Sequence, residues 1–235
     1  MTEAFRTMTE ALLFDFNGVI TDDEEQHRAA FAELLAEAGI PLSRGQYYAD
    51  YLGCDDRSAF LEAFRRAGQP LDPRTLETLV ARKSRFYARL VGTTPALVPG
   101  AAQFVRAAAA RFRLGLVSGA QRQEIEPALA GAGLADCFSV IVAAEDVPRC
   151  KPDPAGYLAA RAALGQDTPL PAGRCVVLED SLAGLDAARA AGMRCVMLTT
   201  SHDAAALAAA DLVWTSFVGH DPAELTALGQ GAGAA

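Results

Sequence analysis

Residues 11–18 read ALLFDFNG. The apolar run is too short for a helix and lacks polar alternation, so it reads as a strand buried on both faces, as in a parallel sheet. It gives way to three polar or small positions, Asp15, Asn17 and Gly18, interrupted only by Phe16. Working outward, comparable short runs recur as RLGLV (113–117), FSVIVA (138–143), RCVVLE (174–179), CVMLTT (195–200) and a weaker DLVW (211–214). Helix-like, often Ala-rich stretches lie between them at 100–111, 121–132, 153–164, 181–191 and 203–210. That alternation predicts an α/β fold, a Rossmann-like parallel sheet core flanked by helices on both faces.

One interval breaks the alternation. Between the first strand and the second, residues 23–94 hold several helical patterns and no strand, which predicts an inserted all-helical cap domain, with residues 1–22 and 95–235 forming the core. The insert opens on TDDEEQH, whose acids suit a helix N-terminus by capping and dipole, and it ends before the Pro-flanked TTPALVPG. The insert is close to neutral, so most of the net charge of −8 falls on the core.

Composition excludes several classes of protein. A net charge of −8 argues against a dedicated nucleic-acid binder. No apolar run reaches the ~18–20 residues of a membrane-spanning helix. The five cysteines form no CxxC pair, which predicts reduced thiols in place of a disulfide framework or zinc site. The acidic MTEAFRTMTE start does not resemble a secretory leader, and a cytoplasmic protein is expected.

In an open parallel sheet, ligands bind beyond the carboxyl ends of the strands. The polar residues ending the apolar runs are therefore expected to converge: Asp15, Asn17 and Gly18; Ser118 and Gly119; Lys151 in the loop after the third strand; Glu179, Asp180 and Ser181. Carboxylates brought together there would repel unless a divalent cation lay between them, and an all-oxygen site suits Mg²⁺. Ser118, Lys151 and backbone N–H groups after Asp15 could hold a phosphoryl group beside it. Gly18 and Gly119 would permit close backbone approach, or else mark ordinary turns.

FDFNGVITD, LVSGA, KPDPAGY and VVLEDSLAGLDAARAAGM resemble, in order, the four motifs of the haloacid dehalogenase (HAD) superfamily. The insert resembles the small helical cap of its β-phosphoglucomutase and phosphoglycolate phosphatase branch. The resemblance implies a Mg²⁺-dependent phosphohydrolase of a small phosphorylated metabolite. In it Asp15 attacks phosphorus, the cation is held by Asp15, Asp180 and the Asn17 carbonyl with Glu179 nearby or ligating, and Ser118 and Lys151 steady the phosphoryl oxygens. It also implies substrate-facing roles for His27, Arg57 and Lys83, with Lys83 and Lys151 the only lysines in the chain.

The departure is Asn17, which stands where phosphatases and mutases of the family carry an aspartate that acts as general acid and base. An amide cannot shuttle a proton, so turnover is expected to be slowed. Asp22, Asp23 and Glu24 are either helix N-terminal acids or substitutes for that proton transfer. A phosphosugar mutase and a barely catalytic phosphometabolite-binding protein are the alternative readings. Dehalogenases need no metal and fit poorly with Glu179-Asp180; phosphonatases need a lysine near the start of the cap, and none is there.

Overall fold

The computed structural model describes residues 8–92 and 96–228. Six strands, β1 (Ala11–Phe14), β2 (Arg113–Val117), β3 (Val140–Val142), β4 (Cys175–Glu179), β5 (Arg194–Leu198) and β6 (Leu212–Trp214), form one parallel sheet in the order β3-β2-β1-β4-β5-β6. β1 is central: Leu13 lies opposite Gly115 on one side and Val177 on the other. The chain leaves β1 for β2 on one side and returns to β4 on the other, so the crevice at the end of β1 is the topological switch point where such sheets bind ligands.

Apart from Arg113, Glu179 and Arg194 at strand ends, the strands are apolar because both faces are covered. With a period of two, Leu12, Phe14, Leu114, Leu116, Val176 and Leu178 pack toward α5 (Ala101–Ala109) and α6 (Arg122–Ala132). Ala11, Leu13, Val117, Cys175 and Val177 pack toward α7 (Ala155–Leu164) and α8 (Leu182–Ala190). The interval between β1 and α5 holds four helices: α1 (Glu24–Glu37), α2 (Arg44–Asp50), α3 (Asp56–Arg66) and α4 (Pro73–Val91). They bury a separate cluster, including Phe31, Leu35, Tyr51, Phe60 and Leu79. Ser43, Asp55 and Asp72 cap α2, α3 and α4 by accepting backbone N–H bonds.

β1 stops at Phe14, and the Phe16 carbonyl accepts from the N–H of Ile20 at 2.7 Å and Thr21 at 3.0 Å, which turns the chain away from the sheet. One detail differs from the sequence expectation. Residues 203–210 form turns and no helix, with i to i+3 bonds such as Ala210 N–H to Leu207 O at 2.9 Å. Leu207 is the one fully buried side chain there, so that alanine run has no continuous apolar stripe to hold a helix against the sheet. Among the described residues no helix is long and apolar enough to cross a membrane.

Candidate active site

The strand ends gather a compact buried polar group. Asp15, Ser118, Lys151, Glu179 and Asp180 are all buried. Lys151 Nζ donates to Asp15 Oδ1 at 2.5 Å, to Glu179 Oε1 at 2.5 Å and to the Val117 carbonyl at 3.2 Å. Tyr157 Oη donates to the same Glu179 oxygen at 2.8 Å. The other oxygen, Oε2, accepts from the backbone N–H of Asp180 at 2.9 Å and Ser181 at 3.0 Å, and from the Ser181 hydroxyl at 3.0 Å. Both Glu179 oxygens are thus taken by protein donors. Asp180 Oδ2 accepts from the hydroxyls of Ser201 and Thr200, and Ser118 Oγ accepts from Ala120 N–H at 3.0 Å.

Burial sets the electrostatics. It pushes the Asp15 carboxyl up to about 7 against the pull of Lys151, with Glu179 adding to the rise. Asp180 is raised well above the ordinary range by burial and by the charges of Glu179 and Asp15. Glu179 is lowered, because Lys151 and its hydrogen bonds outweigh burial, and Lys151 is raised despite burial by its two carboxylates. One ammonium therefore neutralises part of a three-carboxylate cluster.

Oxygens of Asp15, Glu179 and Asp180 approach within 4.8 Å of one another. A hard divalent cation matches this all-oxygen donor set. Asp15 and Asp180 are the residues that would hold it, with Glu179 fixing the Asp180 backbone and positioning Lys151. Gly18 is required here: its φ is +73°, and a Cβ would lie 2.0 Å from Asp180 Oδ2. Its own N–H is used, donating to the Thr21 carbonyl at 2.7 Å, and so is not free for a phosphoryl oxygen. Gly18→Ala is expected to lower Tm and weaken Mg²⁺ binding, which thermal melts with and without Mg²⁺ measure.

Above Asp15 lies a cavity of about 50 Å³. From the core it is lined by Asp15, Asn17, Ser118, Gly119 and Asp180, and from the helical insert by Glu24, His27, Tyr47, Gly53, Cys54 and Lys83. Asn17 faces the insert. Its amide nitrogen donates to Asp23 Oδ1 at 3.0 Å and lies 3.0 Å from His27 Nε2. His27 Nδ1 is 2.6 Å from Lys83 Nζ, which pairs with Asp56 at 2.9 Å. Burial, then the Lys83 charge, holds His27 well below the usual histidine range, so the ring is neutral at neutral pH. Gly119 meets the insert directly: a Cβ there would stand 3.1 Å from the Cys54 carbonyl oxygen.

Of the residues singled out from sequence, Gly18, Lys151 and Glu179 sit against Asp15 and Asp180 without lining this cavity, and Arg57 is brought to neither. It is exposed on α3 and paired with Glu77 of α4. The acids at 22–24 separate into three environments. Asp22 is exposed; Asp23 makes no cap bond and is held by Asn17, Thr21 and Tyr87; Glu24 lines the cavity, accepts from Tyr47 Oη at 2.5 Å, and is pushed by burial up to about 7. Tyr47, Tyr87, Tyr157 and Thr200-Ser201 went unnoticed in the sequence. Single tyrosines in helices carry no spacing signal, whereas the polar pair ending CVMLTT and opening the next loop could have been read like the other strand ends.

The family model for haloacid dehalogenase-like hydrolases matches residues 9–192. The chain is 34% identical over 209 residues to validoxylamine A 7'-phosphate phosphatase of Streptomyces hygroscopicus subsp. limoneus, covering 88% of this chain and 93% of that protein. It is 33% identical over 189 residues to hexitol phosphatase B of Escherichia coli K12, covering 80% and 82%. The crystal structure of CbbY from Rhodobacter sphaeroides in complex with phosphate superposes with a TM-score of 0.79 at 29% identity, over 93% of this chain and 99% of that one. With its four motifs gathered at the end of β1, and with relatives of this kind along most of its length, the chain belongs to the haloacid dehalogenase-like hydrolases, on the branch that includes CbbY.

Proposed function

We propose that the chain is a Mg²⁺-dependent phosphoric monoester hydrolase working through an aspartyl-phosphate on Asp15, with residues 23–94 as the cap that closes over the substrate. The observation that carries this reading is Asp15 itself: one carboxylate oxygen is tethered by Lys151, and the side chain borders the cavity next to Asp180. The tether turns Oδ1 away from the reaction and leaves Oδ2 to attack phosphorus. Ser118 steadies a phosphoryl oxygen through its hydroxyl, and Lys151, its three protons held by Asp15, Val117 and Glu179, contributes its positive charge beside the transferring group. Mg²⁺, when bound by Asp15, Asp180 and the Asn17 carbonyl, neutralises charge on the transferring group. The leaving oxygen then departs without a proton from residue 17, and water attacking the phosphoenzyme lacks a base there, so both half-reactions are slowed at Asn17. The relatives' names, a hexitol phosphatase and a validoxylamine A 7'-phosphate phosphatase, point to small phosphorylated polyols as substrates. A panel of such phosphates, assayed for phosphate release with and without Mg²⁺ and with Asp15→Asn as the blank, tests the reading.

Metal binding has a readout that needs no turnover. At concentrations 100-fold above its Kd, a ligand stabilises the fold by about 2.7 kcal/mol, a rise in Tm of roughly 5–10 °C for a chain of this length. Protons compete with the cation for Asp15, whose carboxyl titrates near 7. The Mg²⁺-induced rise should therefore be larger at pH 8 than at pH 6, and Asp180→Asn should lose most of it. A rise independent of pH, or one retained in Asp180→Asn, would place the cation elsewhere.

A further inference from the structure

Beside the cavity over Asp15, the boundary between insert and core opens into a larger groove of about 640 Å³. The two share Asp56 and Gly119 in their walls, so they are continuous. The inner cavity, at about 50 Å³, has room for a few waters at ~10–15 Å³ each. That suits a phosphoryl group and excludes a sugar-sized remainder. Whatever carries the phosphoryl group therefore extends past Asp56 and Gly119 into the groove.

The charges of the groove are set against anions. Its lining holds five carboxylates and two guanidiniums, an excess of three negative charges. Both guanidiniums are already paired: Arg57 with Glu77, and Arg122 with Asp146 at 2.5 Å and Glu126 at 3.4 Å. Lys83, reaching the junction from the inner cavity, pairs with Asp56 at 2.9 Å. Two helices begin in the groove wall, and their N-terminal N–H groups would suit an anion. Each is closed by a carboxylate of the protein itself. Asp55 accepts from the Ser58 N–H at 3.0 Å at the start of α3, and Glu145 accepts from the Arg122 N–H at 3.1 Å at the start of α6. A second phosphate arriving here meets carboxylates and no free cation among the described residues of the lining, whereas hydroxyl and ammonium donors meet acceptors.

We propose that this groove is the specificity subsite of the enzyme: it takes the hydroxylated, amine-bearing remainder of a monophosphate and refuses a second phosphate. The proposal rests on the phosphatase reading and adds the substrate class to it. Glu77 and Glu145 set the discrimination, Glu77 by withholding the Arg57 guanidinium and Glu145 by occupying the N-terminus of α6. Both are exposed, so replacing either leaves the two hydrophobic clusters of the core and that of the insert intact.

The test compares glucose 6-phosphate, glucosamine 6-phosphate, N-acetylglucosamine 6-phosphate and glucose 1,6-bisphosphate, with Mg²⁺ at low salt. Phosphate release is read from the full chain, and Kd is read by calorimetry on Asp15→Asn, which needs no turnover. A single charge contact in water is worth roughly fivefold. Glucosamine 6-phosphate should therefore exceed glucose 6-phosphate by roughly fivefold in kcat/KM, and the N-acetyl compound, which has no ammonium, should lose that preference. The bisphosphate should fall below glucose 6-phosphate by roughly tenfold, a gap that shrinks as salt rises. Glu77→Gln and Glu145→Gln should each narrow that gap by roughly fivefold. A bisphosphate used as well as the monophosphate, an amine without effect, or a gap that both variants leave unchanged would overturn the proposal. Absence of phosphate release from all four compounds would instead count against the phosphatase reading, and the Kd values would then decide the groove: glucosamine 6-phosphate tightest and the bisphosphate weakest supports it, and equal or absent binding overturns it.

Discussion

Asn17→Asp is expected to raise Mg²⁺-dependent phosphate release by ~10²–10⁴-fold, the usual contribution of a positioned general acid and base, or about 3–5 kcal/mol of barrier. The position is ready for a carboxyl group. Residue 17 lines the cavity over Asp15, and its side chain lies 3.0 Å from Asp23 Oδ1. A second carboxylate placed there would share its environment with Asp23, itself raised by burial. Like charges at this separation cannot both ionise easily, so the new acid would keep its proton to higher pH, as a leaving-group acid must. The gain should be largest for alkyl phosphates and small for activated aryl phosphates, whose leaving groups need no proton. If the gain is absent because the unaltered chain is already fast, Glu24 supplies the proton, being the cavity-lining carboxyl that titrates near 7.

Lys151→Met should abolish phosphate release and also destabilise the fold. Lys151 is buried between Asp15 and Glu179, and removing one member of a buried ion pair leaves uncompensated charge at a cost of about 3–5 kcal/mol. At about 2–4 °C per kcal/mol this is a fall in Tm of roughly 6–20 °C at pH 7. The sign of the pH dependence follows from Glu179, whose carboxyl Lys151 holds below its ordinary value. That depression stabilises the fold above the unfolded pKa and is lost as pH falls through the folded one. The deficit of Lys151→Met should therefore narrow as pH drops below the ordinary glutamate value of 4.5, and melts that extend below it measure this. A deficit that stays constant or widens would show that Glu179 is not held ionised by this lysine.

The fold class was legible because strands buried on both faces have to be apolar along their interior, and β1, β2, β4 and β5 with their weaker edge neighbours meet that demand, with Arg113, Glu179 and Arg194 only at strand ends. Their ends were legible for a related reason: a parallel sheet aims every carboxyl end at one edge, so Asp15, Ser118 and Glu179-Asp180 had to meet once the strands were found. Strand pairing says nothing about the insert, where contacts depend on how helices lean on the core. Arg57 was expected to face the substrate and lies outside; Glu24, two residues into the insert, lines the cavity and was read alongside two neighbours that do not. The alanine-rich 203–210 segment looked helical by composition, yet propensity without an apolar stripe left it as turns.

The central claim is that Asp15 is phosphorylated, and the slow hydrolysis expected of Asn17 makes that directly visible. The protein would be incubated with an activated acyl or aryl phosphate and Mg²⁺, quenched in acid, and read by intact mass and peptide mapping. The account predicts a single phosphoryl adduct on the peptide containing Asp15, absent without Mg²⁺, absent in Asp15→Asn, and shorter-lived in Asn17→Asp. Phosphate release that persists in Asp15→Asn, or an adduct on any other residue, would contradict it.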